Sequence, residues 1–251
     1  MSGGRAELGP AAGCQLLIVR HGERDDEVEG STWRRDYRDR WFDPPLTQRG
    51  LEHAKEVAGE LQRQLAAANP DQPDVGFDYI AVSPLLRAVQ TAQAFSKAFK
   101  LPMKIVPGLS ACAAAVEAEG LARHGSDLVM AKSGLRFRTP QEYRELAPLA
   151  TWTDDTCDEI MGFEETVLKL CFQACAKGRR VLIVAHREGI RDLSRQYRVS
   201  TPYCCVGVFT FIRDPVTLQF QDCIDLVKFH RTGTKKHLAA QVLQPSQAVN
   251  I

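Results

Sequence analysis

Leu16-Leu17-Ile18-Val19-Arg20-His21-Gly22-Glu23-Arg24 is the stretch that decides how this chain is read. It opens on an apolar run that is β-branched at its end and far too short to span a bilayer, so it reads as a buried strand. The run stops abruptly at Arg-His-Gly, and Gly22 lets the backbone turn sharply. A strand that delivers Arg and His to its carboxyl end places them where open α/β sheets bind ligands. A polar loop after a core strand would explain the same tripeptide, so the rest of the chain has to decide.

Outward from this stretch, strands and helices alternate. Residues 24–45 form a polar, aromatic-containing connection, longer than a simple turn needs. Thr47 reads as an N-cap, and Ala54, Val57, Ala58, Leu61 and Leu65 mark one face of the helix that follows. Asn69-Pro70 closes it. Asp78-Tyr79-Ile80-Ala81-Val82 reads as a second strand, and Ser83-Pro84 as an N-cap with proline at the first helical position. Met103 to Val106 reads as a third strand. From Pro107 to Gly162 the pattern degrades. Residues 113–122 read as a helix and residues 140–146 as the start of another, within an insertion lying over the sheet.

The periodicity then returns. Residues 163–176 form an amphipathic helix with Val167, Leu170, Cys171 and Ala174 on one side. Arg180-Val181-Leu182-Ile183-Val184-Ala185 is a buried strand ending at His186. Residues 206–213 and 218–224 read as a hairpin joined by Asp214-Pro215. The expected fold is a three-layer α/β/α sandwich with a mostly parallel central sheet, an antiparallel edge and the insertion over the site.

Composition sets the outer bounds. The chain has 251 residues, 25% of them charged, with a formal net charge of +1, so nothing global points to nucleic acid or membrane. Residues 1–13 read as a flexible leader without the apolar core of a signal peptide, and residues 231–251 as a polar, flexible tail. The eight cysteines are scattered and form no Cys-x-x-Cys pair, so the expectation is no zinc site and a reduced, cytoplasmic setting. Oligomeric state has no signal in the sequence.

Three strand ends carry chemistry. The first delivers Arg20, His21 and Arg24; the second delivers Ser83 and, within its helix, Arg87; the later one delivers His186 and then Glu188. In a parallel sheet all three ends lie on one side. Two histidines among arginines repel one another unless an anion lies between them. Phosphate fits, because arginine forks match its oxygens in pairs and a helix N-terminus adds N–H groups. A histidine can attack phosphorus and split one hard step into two.

Arg20-His21-Gly22 with the later His186 resembles the signature of the histidine phosphatase superfamily, the phosphoglycerate mutase-like fold. Val19-Arg20-His21-Gly22-Glu23-Arg24, then Asp43-Pro44-Pro45-Leu46-Thr47 with Gly50, then Ala81-Val82-Ser83-Pro84-Leu85-Leu86-Arg87-Ala88-Val89-Gln90-Thr91-Ala92, and Ile183-Val184-Ala185-His186 narrow the likeness. They resemble the phosphatase domains of the suppressors of T-cell receptor signalling and of the ecdysteroid-phosphate phosphatases. The resemblance spans residues 16–224, and it frames residues 14–230 as one histidine phosphatase-like domain with an insertion at about 107–162.

The resemblance implies a phosphomonoester hydrolase with His21 as nucleophile. It implies that Arg20, Arg87 and His186 hold the phosphoryl oxygens, with Arg24 as a further phosphate contact, and that no metal or other cofactor is needed. The substrate would be a phosphorylated small molecule or a phosphoprotein. One position departs. Where the close relatives carry a glutamate after the third strand, this chain has Ala111, in Val106-Pro107-Gly108-Leu109-Ser110-Ala111-Cys112. Three readings stay open. Glu117 or Glu119 supplies the acid, Glu188 supplies it, or the acid is absent and the protein is a catalytically weak phosphate-ligand binding module. A phosphoglycerate mutase-like phosphoryl transfer is the remaining alternative. The stretch Trp33-Arg34-Arg35-Asp36-Tyr37-Arg38-Asp39-Arg40-Trp41 reads equally as a cover that grips the leaving group or as a solvated loop whose Asp and Arg pair.

Overall fold

The computed structural model describes residues 13–68, 77–110, 121–124, 127–130, 132–148, 151–152, 162–176, 180–194, 200–213 and 220–229. In chain order the strands are β1 Gly13–Arg20, β2 Phe77–Val82, β3 Met103–Ile105, β4 Leu121–His124, β5 Asp127–Met130, β6 Arg180–Ala185, β7 Val206–Arg213 and β8 Phe220–Phe229. The helices are α1 Trp33–Asp36, α2 Gln48–Ala68, α3 Leu86–Phe99, α4 Pro140–Leu146, α5 Phe163–Ala176 and α6 Arg187–Ser194.

Among the described residues the main sheet runs β3-β2-β6-β1-β7-β8. The neighbours β3-β2, β2-β6 and β6-β1 are parallel, whereas β7 pairs antiparallel with β1 and with β8. β6 slots between β1 and β2, which leaves the crevice beyond their carboxyl ends that open α/β sheets use for ligands. The sheet is mixed and α/β, as its alternating pattern predicts.

Both faces of the sheet are covered, which is why its central strands read as unbroken apolar runs rather than alternating ones. Leu17, Val19, Val82, Leu182 and Val184 pack with Ala54, Val57, Ala58, Leu61 and Leu65 of α2 and with Ala88, Val89, Ala92 and Phe95 of α3. Leu16, Ile18, Ala81, Ile183 and Ala185 pack with Val167, Leu170, Cys171 and Ala174 of α5 and Ile190 and Leu193 of α6. Each large side chain so buried contributes about 1.5–3 kcal/mol of transfer free energy, so the strands cannot slip register cheaply. Thr47 caps α2, its Oγ1 accepting from the Gly50 N–H at 2.9 Å.

Several sequence expectations change. Ser83-Pro84 does not open the third helix, which starts at Leu86 with Leu85 as its cap residue. The Ser83 Oγ shares a hydrogen bond with His186 and also accepts the Leu85 N–H at 3.4 Å, and the Leu86 N–H donates to the Asp43 carboxylate. Leu121 and Ala122, expected in a helix, begin the β4 strand that pairs with β5 in a hairpin; residues 113–120 lie outside the described residues. Gly13 belongs to β1, not to a leader, and the third strand stops at Ile105. β8 runs on past Ile224 to Phe229. Asn69-Pro70, Asp214-Pro215, residues 1–12 and residues 231–251 lie outside the described residues.

The insertion is anchored. α4 spans the predicted residues and carries a capping box: Glu142 N–H donates to Thr139 Oγ1, and Thr139 N–H donates to Glu142 Oε2. Met130 and Phe137 pack with Phe42 and Leu85, while Tyr143 and Ala147 join the α2–α3 core.

Candidate active site

β1 and β6 run parallel with Arg20 opposite Ala185, so His21 and His186 leave the sheet side by side. The His21 N–H donates to Ala185 O at 3.1 Å, and the Ser83 N–H to Val184 O at 3.1 Å. These backbone bonds extend the sheet just far enough to fix the start of each loop. The two imidazole centroids are 5.2 Å apart. Arg20, His21, Ser83, Arg87 and His186 are all buried.

His21 is held in one protonation pattern. Its Nδ1 lies 2.8 Å from Gly22 O, an acceptor only, so Nδ1 carries the proton and the lone pair is on Nε2. Burial, then the charge of Arg87, the neighbouring His186 and Arg20, push its pKa well below the ordinary histidine value. His186 is pushed down in the same way, by burial and then by Arg87, Arg24 and Arg20. Both rings are therefore neutral at neutral pH. His186 Nε2 shares a 2.8 Å hydrogen bond with the Ser83 hydroxyl, which orients the ring.

The loop after His21 is clamped from three sides. Gly22 N–H donates to Thr91 Oγ1 at 2.9 Å, and that hydroxyl donates to Arg87 O at 2.7 Å, tying the loop to α3. A Cβ on Gly22 would sit 2.8 Å from Gly50 O, and one on Gly50 would sit 2.4 Å from Glu23 O. The loop and the first turn of α2 touch backbone to backbone, which only glycine permits. Thr47 Oγ1 also donates to Glu23 Oε1 at 2.9 Å.

Two arginines face the histidines with donors left over. Arg20 Nη1 donates to Thr201 O at 2.6 Å, and Arg87 Nη1 donates to Phe42 O at 3.0 Å. Among the described residues the buried Nε atoms of Arg20 and Arg87 have no hydrogen-bond partner. Buried donors are ordinarily satisfied, so these two mark a place for an acceptor. Burial lowers the pKa of Arg20; burial, followed by the nearby charge of Arg24, lowers that of Arg87 to about 9. Both guanidiniums stay charged at neutral pH while losing solvent, an arrangement that favours an anion.

Arg24 is placed differently from the other predicted phosphate ligands. Its Nε and Nη2 form a two-pronged pair with Asp26, which also accepts from Arg34. Burial alone would raise the Asp26 pKa; the bonds and charge of Arg24 and Arg34 hold it below the ordinary carboxylate range. Arg24 thus adds field to the crevice with its fork already engaged.

Of the candidate acids, Glu117 and Glu119 lie outside the described residues. Glu188 sits in the first turn of α6, bonded to Arg187 at 2.8–2.9 Å, and its charge reaches Arg87. In the basic aromatic stretch, Arg35 pairs with Asp36 and Arg40 with Glu142, and Trp33 stacks on Tyr37 at 4.0 Å between centroids. Cys171, Cys204 and Cys205 are buried and free, and burial pushes the last two up to about 12, so they act as packing groups.

The sequence reading missed the turn before β7. Tyr203 lies with its ring 4.0 Å from the Arg20 guanidinium carbon and 5.8 Å from the His21 ring centroid. Its hydroxyl donates to Glu27 Oε2. Burial and that bond push its pKa up to about 12. The missing signal was topological. β7 is antiparallel to β1, with Val206 opposite Val19, so the start of β7 lies beside the end of β1. Among the described residues no group of three or more His, Cys, Asp or Glu could hold a metal ion, and no helix is long and apolar enough to cross a membrane.

Fold and site together define an α/β protein with a buried, cationic, two-histidine crevice at the carboxyl ends of its parallel strands. The chain belongs to the histidine phosphatase superfamily (branch 1), whose family model matches residues 16–202. It is 25% identical to the ubiquitin-associated and SH3 domain-containing protein B of Mus musculus and of Homo sapiens, across 88% of this chain. The match covers only 38% and 37% of those proteins, so the chain spans well under half the length of the curated relatives it matches. Among solved structures it is similar to the ecdysone phosphate phosphatase from Bombix mori, with 18% identity, 88% of this chain and 97% of that one covered, and a TM-score of 0.48. A mycobacterial glucosyl-3-phosphoglycerate phosphatase gives 15% identity, 85% and 98% coverage, and a TM-score of 0.47.

Proposed function

We propose that this protein hydrolyses phosphomonoesters through a phosphohistidine formed on His21. The observation that carries this reading is the His21 ring itself. Nδ1–H is committed to Gly22 O, and Nε2 is left as a neutral nucleophile beside two buried guanidiniums with free Nε donors. Phosphoryl transfer asks little else of a protein than such positioning and charge.

In the first step the Nε2 lone pair attacks phosphorus, the P–O bond to the leaving group breaks, and the leaving oxygen takes a proton. Arg20, Arg87 and His186 hold the non-bridging oxygens, and Arg24 strengthens the field from behind its Asp26 pair. In the second step water attacks the phosphohistidine, the P–N bond breaks, and His21 returns to its neutral form as phosphate leaves. Glu188, next to the crevice in α6, and Glu117 are the two candidate proton donors. The substrate is a phosphorylated small molecule or a phosphoprotein segment.

A phosphate-binding module without turnover is the second reading, favoured by Ala111 at the position where close relatives carry their acid. Incubation with an aryl phosphate decides between them. The expected result is acid-labile phosphate on His21 and release of inorganic phosphate, both lost in His21→Ala. Glu188→Gln and Glu117→Gln, compared on aryl and alkyl phosphates, identify the acid by a loss confined to the alkyl ester, whose leaving oxygen needs the proton more. Tight phosphate binding without turnover across a broad pH range would favour the module. Phosphoglycerate isomerised without release of phosphate would favour a mutase.

A further inference from the structure

We propose that Arg138, in the insertion, is a positioning residue that sets the geometry of Arg87; the proposal rests on the phosphatase reading above. Arg87 leaves α3 in its first turn, and its Nη1 donates to Phe42 O at 3.0 Å. Where the guanidinium points therefore depends on where two short segments are held: residues 42–43, which supply the acceptor, and residues 84–86, which supply the backbone.

The insertion grips both. Arg138 pairs with Asp43 Oδ2, and Asp43 Oδ1 accepts the N–H of Leu86, the residue before Arg87. Side-chain exposure is 9% for Arg138 and 1% for Asp43, so the pair is shielded from solvent. Next to it the Phe137 ring packs edge-on against Phe42 at 5.6 Å between centroids. Farther along, the Tyr143 hydroxyl donates to Pro84 O. Three successive anchors from the insertion thus hold the acceptor of Arg87 and the start of its helix.

The ion pair is the charged member of the set. Leu85, Met130, Phe42 and Phe137 supply apolar packing, which tolerates small shifts; Asp43 is bonded at one oxygen to the Leu86 N–H and stands in charge contact with the Arg138 guanidinium at the other. The groups facing Arg138 are Tyr143, Arg40 and Glu142, and Arg40 and Glu142 pair with one another at 3.3 Å. The carboxylate in contact with Arg138 is that of Asp43.

The test compares Arg138→Met, Arg138→Lys and the double variant Asp43→Asn/Arg138→Met with wild type. The readouts are kcat and KM on p-nitrophenyl phosphate, Kd for orthovanadate and the thermal midpoint. Arg138→Met is expected to lower kcat/KM by roughly 10- to 100-fold, as a small misplacement of a charge-stabilising group does, and to weaken vanadate binding with it. Arg138→Lys, which keeps the charge without the fork, is expected to recover part of that loss. The double variant removes the stranded carboxylate, while the carbonyl oxygen of the substituted amide keeps an acceptor for the Leu86 N–H. It is expected to regain the wild-type midpoint while its activity stays low. Where Arg138→Met does not fold, the other two carry the same comparison. Full recovery of activity in the double variant, or wild-type kcat, KM and vanadate affinity in folded Arg138→Met, overturns the proposal. A wild-type protein inert toward both ligands overturns the phosphatase reading and the proposal with it.

Discussion

Gly50→Ala sets two effects of known sign against each other. Gly50 lies in the first turn of α2, where alanine is intrinsically better than glycine by up to about 1 kcal/mol. Its new Cβ, however, would stand 2.4 Å from Glu23 O, about 1 Å inside the ordinary contact of 3.4 Å, with Glu23 N and C at 3.0 and 3.2 Å. All three obstructing atoms are backbone, so no side chain can swing aside. The loop carrying His21 and Glu23 must move by nearly that distance. A displacement of about 1 Å at reacting groups costs on the order of 100-fold in rate, equivalent to about 2.7 kcal/mol of activation free energy, while the backbone clash itself works against the helix gain in stability. Gly59→Ala is the matched control. It lies in the same helix, and its Cβ would meet nothing within 4 Å. Gly59→Ala is expected to raise the thermal midpoint by about 2–4 °C with unchanged kcat/KM. Gly50→Ala is expected to lose about 100-fold in kcat/KM on an aryl phosphate without gaining stability. Circular dichroism melts and steady-state rates on the three proteins suffice. If Gly50→Ala is both stabilised and fully active, the backbone contact does not set the position of His21.

Three further outcomes follow from the same geometry. Arg87→Ala is expected to lower kcat by about 10²–10³, the usual effect of removing one oxyanion donor, and to weaken orthovanadate binding; wild-type affinity in the folded variant would remove Arg87 from the site. Tyr203→Phe keeps the ring against Arg20 and loses only the bond to Glu27, so vanadate affinity should change little, whereas Tyr203→Ala should weaken it by a factor corresponding to about 0.5–2 kcal/mol; equal losses in both variants would shift the role to the hydroxyl. The depressed pKa values of His21 and His186 make stability pH-dependent. The unfolded chain takes up protons at these histidines below about pH 6.5 while the native state does not, so stability is full above that pH and falls as pH drops, by up to about 1.4 kcal/mol per pH unit for each ring. Denaturant titrations between pH 5 and 8 should give a shallower slope for His21→Asn/His186→Gln, and parallel slopes would place the proton uptake elsewhere.

The fold was legible because its signals are local. Leu16 to Val19 and Val181 to Ala185 are buried on both faces, so unbroken apolar runs announced central parallel strands. The stripe Ala54, Val57, Ala58, Leu61, Leu65 announced α2 for the same reason, one face of a helix against a sheet. The start of α3 was misjudged because Ser83 has two possible uses. A serine before a proline is a good cap by local chemistry, but Ser83 Oγ divides its bonding between the imidazole of His186 and the Leu85 N–H, and the helix starts only at Leu86. Asp43, distant in sequence, supplies the acceptor that Leu86 N–H needs. Tertiary context overrode a correct local preference. The insertion was less legible because its anchors, Phe137, Arg138 and Tyr143, are held by contacts to residues 42, 43 and 84, which no periodicity encodes.

The site divides along the same line. Parallel strands send their carboxyl ends to one side, so Arg20, His21, Ser83, Arg87 and His186 could be gathered from sequence order alone. Antiparallel strands contribute their amino ends to that side, and the segment that matters then precedes the strand. Thr201 and Tyr203 fall there, one accepting from Arg20 through its carbonyl and the other lying over the same guanidinium. Arg24 shows the complementary case. Its spacing from His21 suits a phosphate ligand, yet Asp26, two residues on, engages both ends of its fork. An arginine so paired contributes charge but few free donors, whereas Arg20 and Arg87 each keep a buried Nε without a partner among the described residues. Loss of Arg24 should therefore weaken an anion through field alone, and more gently than loss of Arg87, which also removes directed hydrogen bonds. Charge and donor are separable here because each arginine has a different protein partner: a carboxylate for Arg24, and backbone carbonyls for Arg20 and Arg87.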